Sequence, residues 1–176
     1  YSRFAALVAS ANLTDALAGA SIHSAFIPND DRMAAFEADM PAIYAAVTDA
    51  QLVESFVKAH LVAGRYATSR LTNEGAVTAL SGQVFGLSTI DEQILLGGVP
   101  VIEPAVEATN GLLYGLDGVL VPEIACPVGN ECPTGLVCGD ASVCEAPPAV
   151  GTCQNPDVLP AIDLVEFVFD DPSTWG

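Results

Sequence analysis

Residues 108–122 read Ala-Thr-Asn-Gly-Leu-Leu-Tyr-Gly-Leu-Asp-Gly-Val-Leu-Val-Pro, ATNGLLYGLDGVLVP, and their reading decides the fold. Asn110-Gly111 is a strong turn signal, because both residue types tolerate the backbone angles that tight turns need. Leu112–Tyr114, Leu116 and Val119–Val121 follow as one apolar strand, closed by Pro122. Asp117 interrupts the run. A carboxylate in that setting is expected to be buried or half-buried against a partner, with a binding role as the competing reading.

Upstream the pattern is still that of strands. Gly97-Gly98 lies between Ile94–Leu96 and Val99–Ile102. Ser81-Gly82 lies between Val77, Ala79, Leu80 and Val84, Phe85, Leu87, Ile90. Both read as β-hairpins. Further back the period changes to that of helices. Gln51–His60 carries Leu52, Val53, Phe56, Val57 and His60 at helical spacing. His60 on such an apolar face fits a hydrogen-bonded structural histidine better than a catalytic or ligating one. His23–Pro28 (HSAFIP) reads as a short buried strand. Asn29, Asp30 and Asp31 then open a helix through Met33, Phe36 and Glu37. Phe4, Leu7, Val8 and Ala11 recur at helical spacing, and Asn12 or Thr14 caps a turn around Asp15–Leu17. Helices precede strands, which argues for an α+β fold rather than alternating βαβ units.

Three stretches resemble a known family. AFIPNDD, Ala25 to Asp31, continued by Ala35-Phe36, is similar to the first box of the fasciclin domain family, TVFAPTNxAF. FVKAHLVAGRY, Phe56 to Tyr66, resembles its central H-V-x-x-G-x-Y motif through His60, Gly64 and Tyr66. ATNGLLYGLDGVLVP resembles its second box, ATNGVIHVIDxVLLP. The motifs stand in family order, so residues 1–122 are identified as a fasciclin-like domain. Tyr114 stands where that box has His, and Gly115 where it has an apolar residue, so no metal or proton role of the His carries over. The resemblance implies a β-sandwich or wedge with packed N-terminal helices, used in extracellular or cell-surface adhesion and not in catalysis. His60, Gly64, Tyr66, Asn110, Gly111 and Asp117 are its implied structural residues.

Composition narrows the function. The 176 residues hold 5 Lys+Arg against 22 Asp+Glu, a net charge of −17, yet 51% are hydrophobic. Binding to duplex nucleic acid needs a surplus of cations that is absent. A chain this apolar is not disordered, and no run approaches the ~20 residues that span a bilayer. The chain opens at Tyr1 with no signal-peptide pattern, as expected of a mature or excised piece. His23 and His60 are the two histidines, and no H-E-x-x-H, G-x-S-x-G or phosphate loop is present. No enzyme, cofactor or metal site is expected. EF-hand spacing is missing as well. Asn12-Leu13-Thr14 has the form of a glycosylation sequon. Some fasciclin-like proteins carry apolar pigments. A carotenoid-like ligand carrier is therefore the second reading, weakened by an aromatic content of 7% with no aromatic stripe.

Residues 123–156 differ in character. Cys126, Cys132, Cys138 and Cys144 stand six apart, followed by Cys153, in a Pro- and Gly-rich stretch that cannot build a core alone. Structural zinc favours C-x(2–4)-C knuckles, and every gap here holds at least five residues. Disulfides and an oxidising compartment are the expectation. Four cysteines allow three pairings. The fifth is free, paired with another chain, or part of a different set of four.

Residues 157–176 form the third part. Placed before the head, they give IDLVEFVFDDPSTWG-YSRFAALVASANLTDAL, which resembles one continuous fasciclin start. Leu164, Val165, Phe167 and Val168 would then be an apolar helix face without a core. The chain is one unit of a tandem array, or its tail folds back, or the tail docks on a neighbouring copy head to tail. Completion by a neighbour is the favoured expectation. Partners are then proteins, copies of itself or tandem neighbours, with surface glycans a further candidate. Nucleic acid and membrane insertion are not expected. Copies this acidic repel, so their contact must rest on apolar burial, cross-links or bridging cations, and should tighten with salt.

Overall fold

The computed structural model describes residues 1–126 and 132–147. Cys153 and the helix face of Leu164, Val165, Phe167 and Val168 lie outside the described residues. The chain opens with α1 (Ser2–Ser10), which buries Phe4, and α2 (Thr14–Ala18). Leu13 holds the N-cap position of α2, so neither Asn12 nor Thr14 caps it by a side chain. Asn12 instead turns the chain, at φ 55. Strand β1 (His23–Pro28) follows, with alternate residues Ser24, Phe26 and Pro28 buried. Helix α3 (Asp30–Asp39) starts where Asn29 accepts the Arg32 N–H at 2.8 Å.

Helix α4 (Pro41–Thr48) has no counterpart in the sequence reading. Its start is nonetheless legible, since Pro41 occupies a first-turn position where no N–H donor is needed. Helix α5 (Val53–Ala59) buries Val53, Phe56, Val57 and Ala59. The helix expected from Gln51 thus starts two residues later, after a turn. Next come β2 (Leu61–Ala63), the single turn α6 (Thr68–Leu71), β3 (Ala76–Thr78) and β4 (Val84–Ile90). The last three strands of the domain are β5 (Gln93–Leu96), β6 (Val99–Ala108) and β7 (Gly111–Leu116).

The seven strands order as β2-β1-β7-β6-β5-β4-β3. Only β1 and β7 are parallel. A bridge from Val62 to Ala79 ties the β2 edge to the chain leaving β3, so the sheet nearly closes into a wedge. The hairpin turns at Ser81-Gly82 and Gly97-Gly98 form as expected. A third joins β4 to β5 through Asp91 and Glu92, at φ 48 and 66. Two positive φ angles in a two-residue loop match the strand twist.

Two cores result. Inside the wedge lie Phe26, Phe85, Leu96, Val101, Tyr114 and Leu116. On the other face of β1, Ala25 and Ile27 meet Phe4, Met33, Phe36 and Phe56 from the helices. The apolar run after Asn110 serves both. Strand β7 ends at Leu116, not at Val121 as expected. Asp117 still donates its N–H to the Pro100 carbonyl at 2.9 Å. At Gly118 a Cβ would lie 2.9 Å from Val99, and there the chain leaves the sheet. Beyond it Leu120 packs into the wedge while Val119 and Val121 pack on the helices. An unbroken apolar string can thus fill two cores without being one strand.

The cysteine segment forms a small ladder of β8 (Val137–Cys138) and β9 (Cys144–Glu145). Disulfides join Cys126 to Cys138 and Cys132 to Cys144. Ile124, Leu136 and Cys144 are buried in the helical core, and Gly135 packs on Ala42 of α4.

Candidate functional site

His60 is wholly buried at the C-terminal end of α5. Its Nε2 faces the Leu120 N–H at 3.2 Å and must accept, so Nδ1 carries the proton and donates to the Phe56 carbonyl at 2.9 Å. Phe4 and Phe56 contact the ring edge-on, each with centroids 4.9 Å away. Burial among aromatic rings pushes the imidazole down to about 4, against a small opposing pull from the Phe56 carbonyl. One ring nitrogen closes on the Phe56 carbonyl within α5 and the other ties the end of α5 to the segment after β7, so neither is open to a substrate or metal.

Gly64, Tyr66 and the replacement residue Tyr114 form a second buried set. Gly64 takes φ 99, and its carbonyl accepts the Ser24 hydroxyl at 2.9 Å. The same hydroxyl accepts the Tyr66 N–H at 2.8 Å. Tyr114 stacks on Phe26 at 5.2 Å and donates its hydroxyl to the Tyr66 carbonyl at 2.8 Å. Ser24 was not singled out from sequence, although a serine at an inward position of HSAFIP is the available signal. At the β6–β7 turn, Asn110 donates to the Leu17 and Gly19 carbonyls at 2.6 and 3.1 Å. A Cβ on Gly111 would overlap the His23 carbonyl oxygen, so only glycine fits there.

Asp117 is exposed rather than buried or half-buried, because it lies just past the point where β7 stops. It does have a partner, the Arg32 guanidinium at 2.6 Å. The remaining cations behave alike: Arg3 pairs with Glu37, Lys58 with Glu54, Arg65 with Glu107 and Arg70 with Glu74, at 2.5–2.9 Å. All five Lys and Arg of the chain are therefore engaged. Such exposed pairs add little stability each. Their consequence is that an anionic partner meets no free cation. Asp30 is engaged differently. It accepts the Arg3 and Ser2 backbone N–H groups at 2.8 and 3.1 Å and the Ser2 hydroxyl at 2.7 Å. These bonds hold its carboxyl well below the usual carboxylate range.

The Sγ atoms of Cys126, Cys132 and Cys144 lie within 4.8 Å of one another. Each is spent in a disulfide, so no thiolate is available to a metal. Beside them a cavity of about 530 Å³ is lined by the end of α4, the turn from α4 to α5 and the cysteine segment, including Ala45, Asp49, Gln51 and Thr134, without an aromatic ring.

The outer face of the sheet is different. Val84, Ile90, Ile102 and Val106 are 61%, 59%, 41% and 63% exposed. Ile90 pairs with Gln93, Leu95 with Pro100, Ile102 with Gly115 and Val106 with Leu113. Strand alternation places all of them on one face. No charged side chain occupies an outward strand position from Val84 to Ile102. The helices cover this face over β1 and end at Tyr1, whose hydroxyl lies over Gly115 beside Ile102. The apolar pattern names Val84, Ile90 and Ile102 as strand residues without dividing them from the inward Phe85, Leu87 and Val101, so it does not mark this face.

A profile of the fasciclin domain matches residues 1–122. Human and mouse Stabilin-1 are 27% and 26% identical over 132 residues, 73% of this chain and 5% of each of those proteins. The chain thus spans a small fraction of their length. Protein sll1483 of Synechocystis is 25% identical over 122 residues, 69% of this chain and 67% of that protein. Among solved structures, a FAS1 domain pair from the insect cell adhesion molecule Fasciclin I superposes with a TM-score of 0.55 at 18% identity. It covers 66% of this chain and 45% of that one. Among the described residues no helix is long and apolar enough to cross a membrane.

Proposed function

Because the chain belongs to the fasciclin domain family, a family of adhesion-type modules, we propose that it is a non-catalytic adhesion unit acting through protein–protein contact, including contact with its own copies. The observation that carries this reading is the exposed apolar face of β4, β5 and β6 on a protein whose motif rings His60, Tyr66 and Tyr114 are buried and whose cations are all paired. A contiguous exposed apolar face of this kind is a surface that a protein partner covers. Acidic or sulfated glycans find no free cation to bind. A carotenoid-like ligand would need an aromatic-lined slot, and the cavity beside the cysteine ladder is not one. The two disulfides support an extracellular or cell-surface setting. In this reading residues 1–122 are the adhesive domain, 123–156 a stapled spacer, and 157–176 a tail that completes a fasciclin-like domain on a neighbour.

Light scattering on the full chain, from micromolar to millimolar and at low and high salt, tests the reading. The mean mass is expected to rise with concentration, and more steeply in salt, which screens repulsion between copies of charge −17. A monomer mass under every condition would remove self-association.

A further inference from the structure

Resting on that self-association, we propose that the outer face of β4, β5 and β6 receives residues 161–169 of a second copy, laid as a helix beside Tyr1. Among the described residues the helical layer covers Ala25 and Ile27 on β1, reaches Gly115 through Tyr1, and leaves Ile102, Ile90 and Val106 exposed. A helix set next to Tyr1 would continue the layer across the remaining strands. The dimensions agree. Three strand spacings from β7 to β4 are about 14 Å, and nine helical residues rise about 14 Å.

The chemistry also agrees. Ala161, Leu164, Val165 and Val168 recur at i, i+3, i+4 and i+7, flanked by Phe167, and so define one apolar side. Asp163, Glu166 and Asp170 fall on the other side and would point away from the acidic protein. Because no outward strand position from Val84 to Ile102 carries a charge, docking over that span strips no ion of water. Thirteen residues, 148–160, separate the last described position from the segment, and extended they reach up to about 45 Å. That is far enough to leave the parent molecule. Face and segment are different surfaces, so the contact is head to tail and leaves one of each open at the ends.

The test uses full-length chains. Ile102→Glu disables the face and Val165→Glu the segment. Val106→Glu, at the more exposed position, replaces the first should it unfold, with circular dichroism and melting reporting the fold. Each variant alone is expected to associate at least about 30-fold more weakly than the parent chain. An equimolar mixture of a face variant and the segment variant is expected to form dimers and nothing larger, since only one intact face meets one intact segment. Denaturing, non-reducing gels identify any dimer linked through Cys153. Folded variants that assemble like the parent chain would overturn the proposed contact and leave self-association standing. A mixture that stays monomeric would overturn it too, and a parent chain monomeric throughout would overturn both.

Discussion

Protonating His60 inside the fold places an uncompensated charge between Phe4 and Phe56, whereas in the unfolded chain the same proton binds near 6.5. Between that value and about 4 the unfolded state holds a proton that the folded state refuses. The stabilising contribution is therefore full above 6.5 and is lost as pH falls towards 4, by about 3 kcal/mol in all. Urea denaturation of the parent chain and of His60→Gln at pH 7.5 and 4.5 should show a smaller pH dependence in the variant. Gly111 makes a steric demand instead. Gly111→Ala is expected to cost at least about 3 kcal/mol, whereas Gly86→Ala, which meets nothing, should change stability by under about 0.5 kcal/mol. An apolar helix face made the setting of His60 readable in the sequence. Its bond to Leu120 was not readable, because that partner lies 60 positions away. Asp30 shows the same limit. Its place at the start of α3 was legible, but its bonds to Ser2 and Arg3 at the start of α1 depend on how two helices meet.

Elements announced by turn chemistry emerged most clearly. Ser81-Gly82, Gly97-Gly98 and Asn110-Gly111 set three turns because local backbone preference decides them. Helix α4 escaped notice because PAIYAAVT is apolar almost all round and so shows no period. The extent of β7 was overread for a related reason, since hydrophobicity reports burial but not which core does the burying. Helix α3 provides the check at this scale. Asn29→Ala removes the acceptor for Arg32 N–H and should lower stability by about 1 kcal/mol, with Asn29→Asp recovering most of it. Thermal or urea melts of the three proteins measure the difference.

For the whole molecule, charge and apolar surface act in opposition. With five cations each tied to one carboxylate, 22 − 5 = 17 acidic groups remain uncompensated by Lys or Arg. Their repulsion destabilises the compact state and weakens when screened. The melting temperature of the monomer should therefore rise between 10 mM and 0.5 M sodium chloride, in dilute samples where association is absent. The sign of this field was plain from composition. The distribution of apolar surface was not, because it depends on where the helical layer ends. The interlocked bonds Cys126–Cys138 and Cys132–Cys144 have a mechanical consequence. Pulled taut, the eighteen steps from Cys126 to Cys144 would span about 60 Å. With either bond as a shortcut, only six backbone steps and one bridge of 5.7 Å between Cα atoms remain, about 26 Å in total. Oxidation thus limits how far this segment can be drawn out, and after reduction it could lengthen by about 35 Å under load once the β8–β9 ladder and the packing of Leu136 and Cys144 give way.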